Sequence, residues 1–177
     1  MKSTEMHEKI AQTRAYLDYI EEHYNNVQKA WKEISEKCKD MRFVWDDYVY
    51  FSITDAVERH DLSKLDEDEF IQYRKAFYQT NTEKVAGKYD MSAAWNNHKA
   101  NNPHHWEHWT KILTSDPYTH EVHCVHMVID WVAMGYKFGD TAQSFYESKK
   151  EQIDIPEWSV KFIYKIFERL ARKIDTN

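Results

Sequence analysis

Glycine and proline are scarce, at three of each in 177 residues. These residues punctuate turns, so their rarity argues against a turn-rich β-sandwich or barrel and for helices joined by short connections. Cysteine is nearly absent too. Cys38 and Cys124 stand alone without C-x-x-C spacing, which excludes a disulfide framework and a cysteine-based zinc site and leaves two reduced, structural thiols. No segment approaches the roughly 18 apolar residues needed to cross a bilayer, and the polar start MKSTEMHEKIAQ has no apolar stretch of signal-peptide length. The expectation is a cytoplasmic protein with no membrane partner. Basic runs are missing as well: 24 Lys+Arg face 30 Asp+Glu, for a net charge of −6, so duplex nucleic acid is not an expected partner.

What is present is material for a core. Hydrophobic residues make up 42% of the chain and aromatic residues 15%, far from the composition of disordered chains. The length suits one domain spanning 1–177.

Apolar residues recur at three- and four-residue steps. Ile10, Leu17, Ile20, Tyr24, Val27, Trp31 and Ile34 predict a long first helix capped by Ser3 or Thr4, with His23 on or beside its buried stripe. Val49, Ile53, Ala56 and Val57 predict a second, leading to His60. Ser63 and Asp66 fit a capping box for a third, which carries Phe70, Tyr73 and Phe77 inward and leaves Asp61 at a junction.

TNTEKVAGK (80–88) reads as a loop, followed by a short helix with Met91, Ala94, Trp95 and His98 on one face. Asn102 and Pro103 predict the start of the next helix, with His104 and His105 in its first turn ahead of Trp109, Ile112 and Leu113. Val122, Val125, Ile129 and Val132 mark a helix ending near Gly135. Asp140 or Thr141 caps a shorter one with Ala142, Phe145 and Tyr146; the last runs from about Pro156 through Ile163, Ile166, Phe167, Leu170 and Ile174. About seven helices and no strand make an all-α helical bundle the expected fold.

Ten histidines are distributed over this framework. His23, His60, His98 and Asp130 each sit at helical spacing from buried residues, on four predicted helices. Burying isolated charged groups costs several kcal/mol, so such residues are paired, neutral or metal-bound. One divalent cation would satisfy all four. Imidazole and carboxylate without thiolate suit Mn, Fe, Co, Ni or Zn, with no unique choice.

The order His23, His60-Asp61, Asp130 on successive parts of an all-helical chain resembles the HD superfamily of metal-dependent phosphohydrolases. The resemblance implies that these four residues ligate one metal. It further implies that His98, His104 and His105, lying between the HD pair and the final Asp, complete a dinuclear site bridged by Asp61. One or two divalent ions, Mg included, are the implied cofactor, and a nucleotide or other small phosphorylated molecule the implied substrate. Asp61, Asp130 and Lys64 are the implied catalytic groups, Lys64 matching the HD-x-x-K variant in which the lysine contacts phosphate. HDLSK (60–64), AWNNH (94–98), NPHHWEHW (102–109) and DWVAMGYKFGDT (130–141) also resemble a family of small, uncharacterised phage-associated proteins.

Alternatives stand beside these assignments. Asp61 can cap the following helix, Asp130 can pair with Lys137 or a buried Arg, and Lys64 can be solvated. His104 and His105 point about 100° apart on a helix, so one ligates while the other binds substrate or caps. His108 and His120 read as surface residues. His123 and His126 can face the site beside Asp130, although packing is the simpler role for both. Trp95, Trp106, Trp109, Trp131 and Trp158 read as core, and an exposed Trp near the metal would suit a nucleobase. The same ligand set would serve a di-iron oxygenase, and a non-catalytic nucleotide-binding or host-interaction protein is the rival from another class.

Overall fold

A computed structural model describes residues 2–87, 90–112 and 116–172, with the side chains of residues 2, 3 and 117 also left out. Leu113, Ile174 and the Ser3 side chain, all invoked above, lie outside this description. The described chain is all-helical. In order it comprises α1 (Lys2–Lys37), α2 (Arg42–Trp45), α3 (Asp47–Glu58), a 3-10 turn (Leu62–Leu65), α4 (Glu67–Phe77), α5 (Asn81–Ala86), α6 (Ser92–Asn101), α7 (Trp106–Trp109), α8 (Pro117–Phe138), α9 (Ala142–Lys149) and α10 (Glu157–Leu170). Ten helices stand among the described residues where about seven were expected; α2 and α5, pieces of four and six residues, are too short to show a periodic apolar face. No described helix is long and apolar enough to cross a membrane.

The chain groups into two compact units, Met1–Tyr24 with Asp61–Asn102 and Asn25–His60 with Pro103–Asn177. α1 contributes residues to both.

In the first unit, α4 packs on α6 and on the 3-10 turn. Its core is small and aromatic: Tyr16, Tyr73 and Ala94 are buried, with Tyr19, Ile20, Phe70, Tyr78 and Met91 around them. The buried stripe of α1 runs through Tyr16, His23, Val27, Ala30 and Ile34, whereas Ile10, Leu17 and Tyr24 are exposed. Tyr16 displaces the expected Leu17, since an amphipathic phenol packs as well as an aliphatic chain. Thr4 lies inside α1 and does not begin it. Phe77, expected inward, is exposed, while the charged Glu69 and Arg74 are buried. Arg74 is neutralised by both Glu83 oxygens and donates to the Tyr78 carbonyl.

The segment expected as a loop contains α5, started by a capping box in which Thr80 and Glu83 satisfy each other's backbone N–H groups. The anticipated box of Ser63 and Asp66 does not form. α4 starts at Glu67, and the Ser63 hydroxyl donates to Glu69 instead. Asn102 ends α6 and does not begin α7: its N–H bonds the His98 carbonyl, and its side-chain amide reaches Ser63 and the same carbonyl. Only Trp106–Trp109 turn helical beyond it, so His104 and His105 precede α7.

In the second unit α8 is central. α3, α7, α9 and α10 all pack on it, and Cys124, Val125, Met127, Val128 and Ile129 are buried around its circumference, the pattern of a helix surrounded by others. Asp116 caps it and Pro117 opens it. It runs past Gly135 to end at Gly139, whose left-handed conformation (φ 78°) only glycine adopts without strain. Gly135 serves a different purpose, because a Cβ there would stand 2.7 Å from the Asp140 carbonyl oxygen. The second part of α1 is tied to α3 by Trp31 Nε1 donating to Thr54 Oγ1 (3.1 Å) and Gln28 Nε2 donating to the Val57 carbonyl (3.0 Å). These bonds hold the C-terminal end of α3, from which His60 follows.

Candidate metal centre

In the first unit three elements converge on Asp61. Its Oδ2 lies 3.5 Å from His23 Nε2 and 2.5 Å from Lys64 Nζ, and its Oδ1 lies 3.2 Å from His98 Nε2. His23 comes from α1, Lys64 from the 3-10 turn and His98 from α6. All four residues are buried. Asp61 has φ 57°, and no other described non-glycine residue has a positive φ. The left-handed region costs an L-residue roughly 1–2 kcal/mol, least for Asp and Asn. That conformation turns the chain out of α3 and aims the carboxylate at His23 and His98.

His98 is held from behind. Its Nδ1 lies 2.8 Å from Glu69 Oε2. Glu69, fully buried, also accepts from Ser63 Oγ (3.1 Å) and Asn97 Nδ2 (2.9 Å). A carboxylate at Nδ1 selects the tautomer protonated there, leaving Nε2 with a lone pair. That lone pair faces the Asp61 oxygen at 3.2 Å. Two acceptors at this separation repel unless a proton or a cation lies on the line between them. Rings complete the surroundings: Tyr19 stacks on His23 (6.2 Å, 6°) and Tyr73 meets His98 edge-on (5.7 Å).

In the second unit His60, His104 and His126, all buried, each offer a ring nitrogen, with the three atoms within 4.8 Å of one another. His60 Nδ1 lies 2.9 Å from His126 Nε2, and His60 Nε2 lies 3.6 Å from Asp130 Oδ1. The His104 ring centroid is 4.3 Å from those of His60 and His105. His126 and Asp130 occupy one face of α8, four residues apart, so the helix itself sets their spacing.

His126 is thus a candidate ligand that sequence reasoning left to packing; its four-residue offset from Asp130 was the available signal. His108 and His120, expected at the surface, are half-buried, and His120 Nε2 bonds the Ile112 carbonyl at 2.9 Å. With burial as the main cause and His108 and His120 adding to it, the His123 pKa is pushed down to about 4. Of the tryptophans expected inside, Trp109 and Trp131 are buried. Trp95 is 37% exposed and Trp158 43%. Trp95 stacks beside His98 at 5.9 Å, with Lys99 Nζ 5.4 Å from its ring.

The donor sets fit a divalent ion. Neutral imidazoles and a carboxylate are ligands for Mn, Fe, Co, Ni or Zn, and Glu69 behind His98 supplies the outer support that metal-binding histidines need. The fold and these clusters define an all-helical protein with a buried His/Asp group able to hold a metal ion. The chain belongs to a family of unknown function, DUF5662, whose model matches residues 12–171. No curated protein and no solved structure matches it.

Proposed function

We propose that the chain is a metal-dependent phosphohydrolase of the HD type, acting on a nucleotide or another small phosphorylated molecule. His23, Asp61 and His98 bind one divalent ion in this reading, and His60, His104, His126 and Asp130 bind another. The observation that carries it is the buried His98 held between two carboxylates, with Nδ1 2.8 Å from Glu69 Oε2 and Nε2 3.2 Å from Asp61 Oδ1. A divalent ion would lower the pKa of a bound water toward neutrality and offset phosphate charge.

The chain's own residues have separable tasks. Glu69 orients His98 and fixes its tautomer. Lys64, a buried ammonium at Asp61, adds positive charge where phosphate oxygens gather. Trp95, half-exposed beside His98, offers a face for a nucleobase, since stacking tolerates any base. Asp130, with its side chain 18% exposed, is the carboxylate best able to exchange protons with solvent.

Purified protein incubated with a panel of nucleoside mono-, di- and triphosphates tests the proposal. Phosphate release that stops on chelation and returns with a divalent ion is the expected result. Stoichiometric nucleotide binding without product, or turnover indifferent to chelator, would contradict it.

A further inference from the structure

One flank of α1 is apolar and faces solvent. Met6 is 61% exposed, Ile10 and Leu17 42% each and Tyr24 36%, and between them stand the half-buried Thr13 and Ile20. Single exposed apolar side chains are ordinary on a protein surface; an aligned set is not. Met6, Ile10, Thr13, Leu17, Ile20 and Tyr24 follow one another at steps of 4, 3, 4, 3 and 4 residues, the heptad spacing of a coiled-coil seam. Thr13 is compatible with it, because its hydroxyl already donates to the Lys9 carbonyl (2.8 Å) and covering it strands no donor.

The same rhythm continues through Val27, Trp31 and Ile34, which are buried. Only its first part lies open, and helix geometry gives the reason. A seven-residue repeat drifts about 20° per heptad around a straight α-helix. At about 100° per residue, Met6, Ile10 and Tyr24 point within about 20° of Leu17, whereas Tyr16 and His23, which are buried, point about 100–120° away from it. The apolar arc of α1 is therefore wider than the fold of the first unit covers. Residues 173–177, the longest stretch outside the described chain, hold one aliphatic side chain, Ile174. They span about 18 Å at most, against roughly 27 Å of helix from Met6 to Tyr24, and are too short to cover it.

The seam is complementary to itself. Two copies laid antiparallel about Ala15 set Met6 against Tyr24, Ile10 against Ile20 and Thr13 against Leu17, and each of these layers is made twice. Charge selects this direction. Arg14 and Asp18, both exposed beside the seam, meet across the antiparallel axis with opposite signs. A parallel pair would instead bring Lys9 of one helix to Arg14 of the other, one cation against another.

We propose that the first part of α1 is the interface of a homodimer, in which two copies of the chain pair antiparallel through the seam from Met6 to Tyr24. One helix per copy covers less than the roughly 800 Å² per partner of tight complexes, so the dimer dissociates in the micromolar range. The inference is independent of the metal reading.

Sedimentation velocity of the full chain between about 1 and about 200 μM tests this, in the wild type, Leu17→Glu, Arg14→Asp and the reversal Arg14→Asp with Asp18→Arg. The thermal midpoint of each is measured at the lowest concentration. The wild type is expected to pass from monomer to dimer across that range. Leu17→Glu, which places a carboxylate in the seam, is expected to raise the dissociation constant at least about tenfold, with the midpoint unchanged because position 17 lies outside the core. Arg14→Asp is expected to raise it about fivefold, and the reversal to bring it back. A wild type that stays monomeric overturns the proposal and leaves the seam to a different protein. A dimer undisturbed by Leu17→Glu overturns it by placing the contact elsewhere. If Leu17→Glu lowers the midpoint, the Arg14 arm decides, and a dissociation constant that Arg14→Asp leaves unchanged, or that the reversal fails to restore, overturns the antiparallel pairing.

Discussion

His98 and Glu69, 29 residues apart in sequence, meet at 2.8 Å with Nδ1 against Oε2, and neither is exposed to solvent. A fully buried glutamate that accepts from three side chains, one of them an imidazole, fixes that ring's tautomer and direction. The other ring nitrogen is thereby aimed at Asp61 Oδ1, 3.2 Å away.

Replacing Glu69 by Gln removes that charge while keeping the size. Supporting carboxylates of this kind are worth roughly 10–100-fold in metal affinity, so Glu69→Gln is expected to weaken metal binding by that order in competition with a chromophoric chelator. Unchanged affinity would show Glu69 to be a packing residue only.

His126 offers a second test on an independent set of residues. If His60, His104 and His126 share an ion, His126→Ala loses it while the helical circular dichroism persists, because one imidazole contributes little to the apolar core around α8. Retention of the full metal complement would reduce His126 to a hydrogen-bond partner of His60.

Glu83 and Arg74 form a pair whose arginine is 1% exposed. The hydrogen bonds from Arg74 hold the Glu83 carboxyl down at about 2, below its usual 4.5. A depressed carboxyl stabilises the fold above its unfolded pKa and loses that contribution as pH falls through the folded value. Stability is thus expected to decline between pH 4.5 and 2. Glu83→Gln, which strands the buried guanidinium, is expected to cost about 2 kcal/mol and lower the thermal midpoint by several degrees at neutral pH. A midpoint unchanged by the substitution would contradict this.

His123 contributes a separate pH dependence. Its folded pKa of about 4 lies below the usual 6.5, so the unfolded chain takes up a proton that the folded chain refuses throughout that window. The resulting stability is complete above pH 6.5 and is lost as pH falls toward 4. Denaturant titrations at pH 7 and pH 5 are expected to show a smaller stability difference for His123→Gln than for wild type; an equal difference would assign the loss to other groups.

Much of this architecture is readable in the residue order, and the exceptions have physical causes. Val122, Val125, Ile129 and Val132 identify α8 because aliphatic side chains have one destination, and all four are buried. Tyr16 and Leu17 exchange roles because an amphipathic ring serves on either side of a helix. Gly135 looks like a terminator, but its missing Cβ makes room for the Asp140 backbone, a long-range requirement with no local signature. α5 is announced by Thr80 and Glu83 at capping-box spacing, masked by polar neighbours. In the candidate centre, His23 and His98 stand out by their apolar flanks, and Asp61 only through the resemblance of His60-Asp61 to an HD pair. Glu69 does not, since an acidic residue within EDEF reads as solvated, and only the fold buries it.

Elemental analysis of the purified, metal-saturated chain tests the central claim most directly, with Asp61→Asn as the companion because asparagine also tolerates the left-handed conformation seen at this position. The account predicts at least one tightly held divalent ion per wild-type chain, and its loss from the variant with helical content retained. A wild-type chain that keeps no ion, or an Asp61→Asn chain that keeps the full complement, would contradict it.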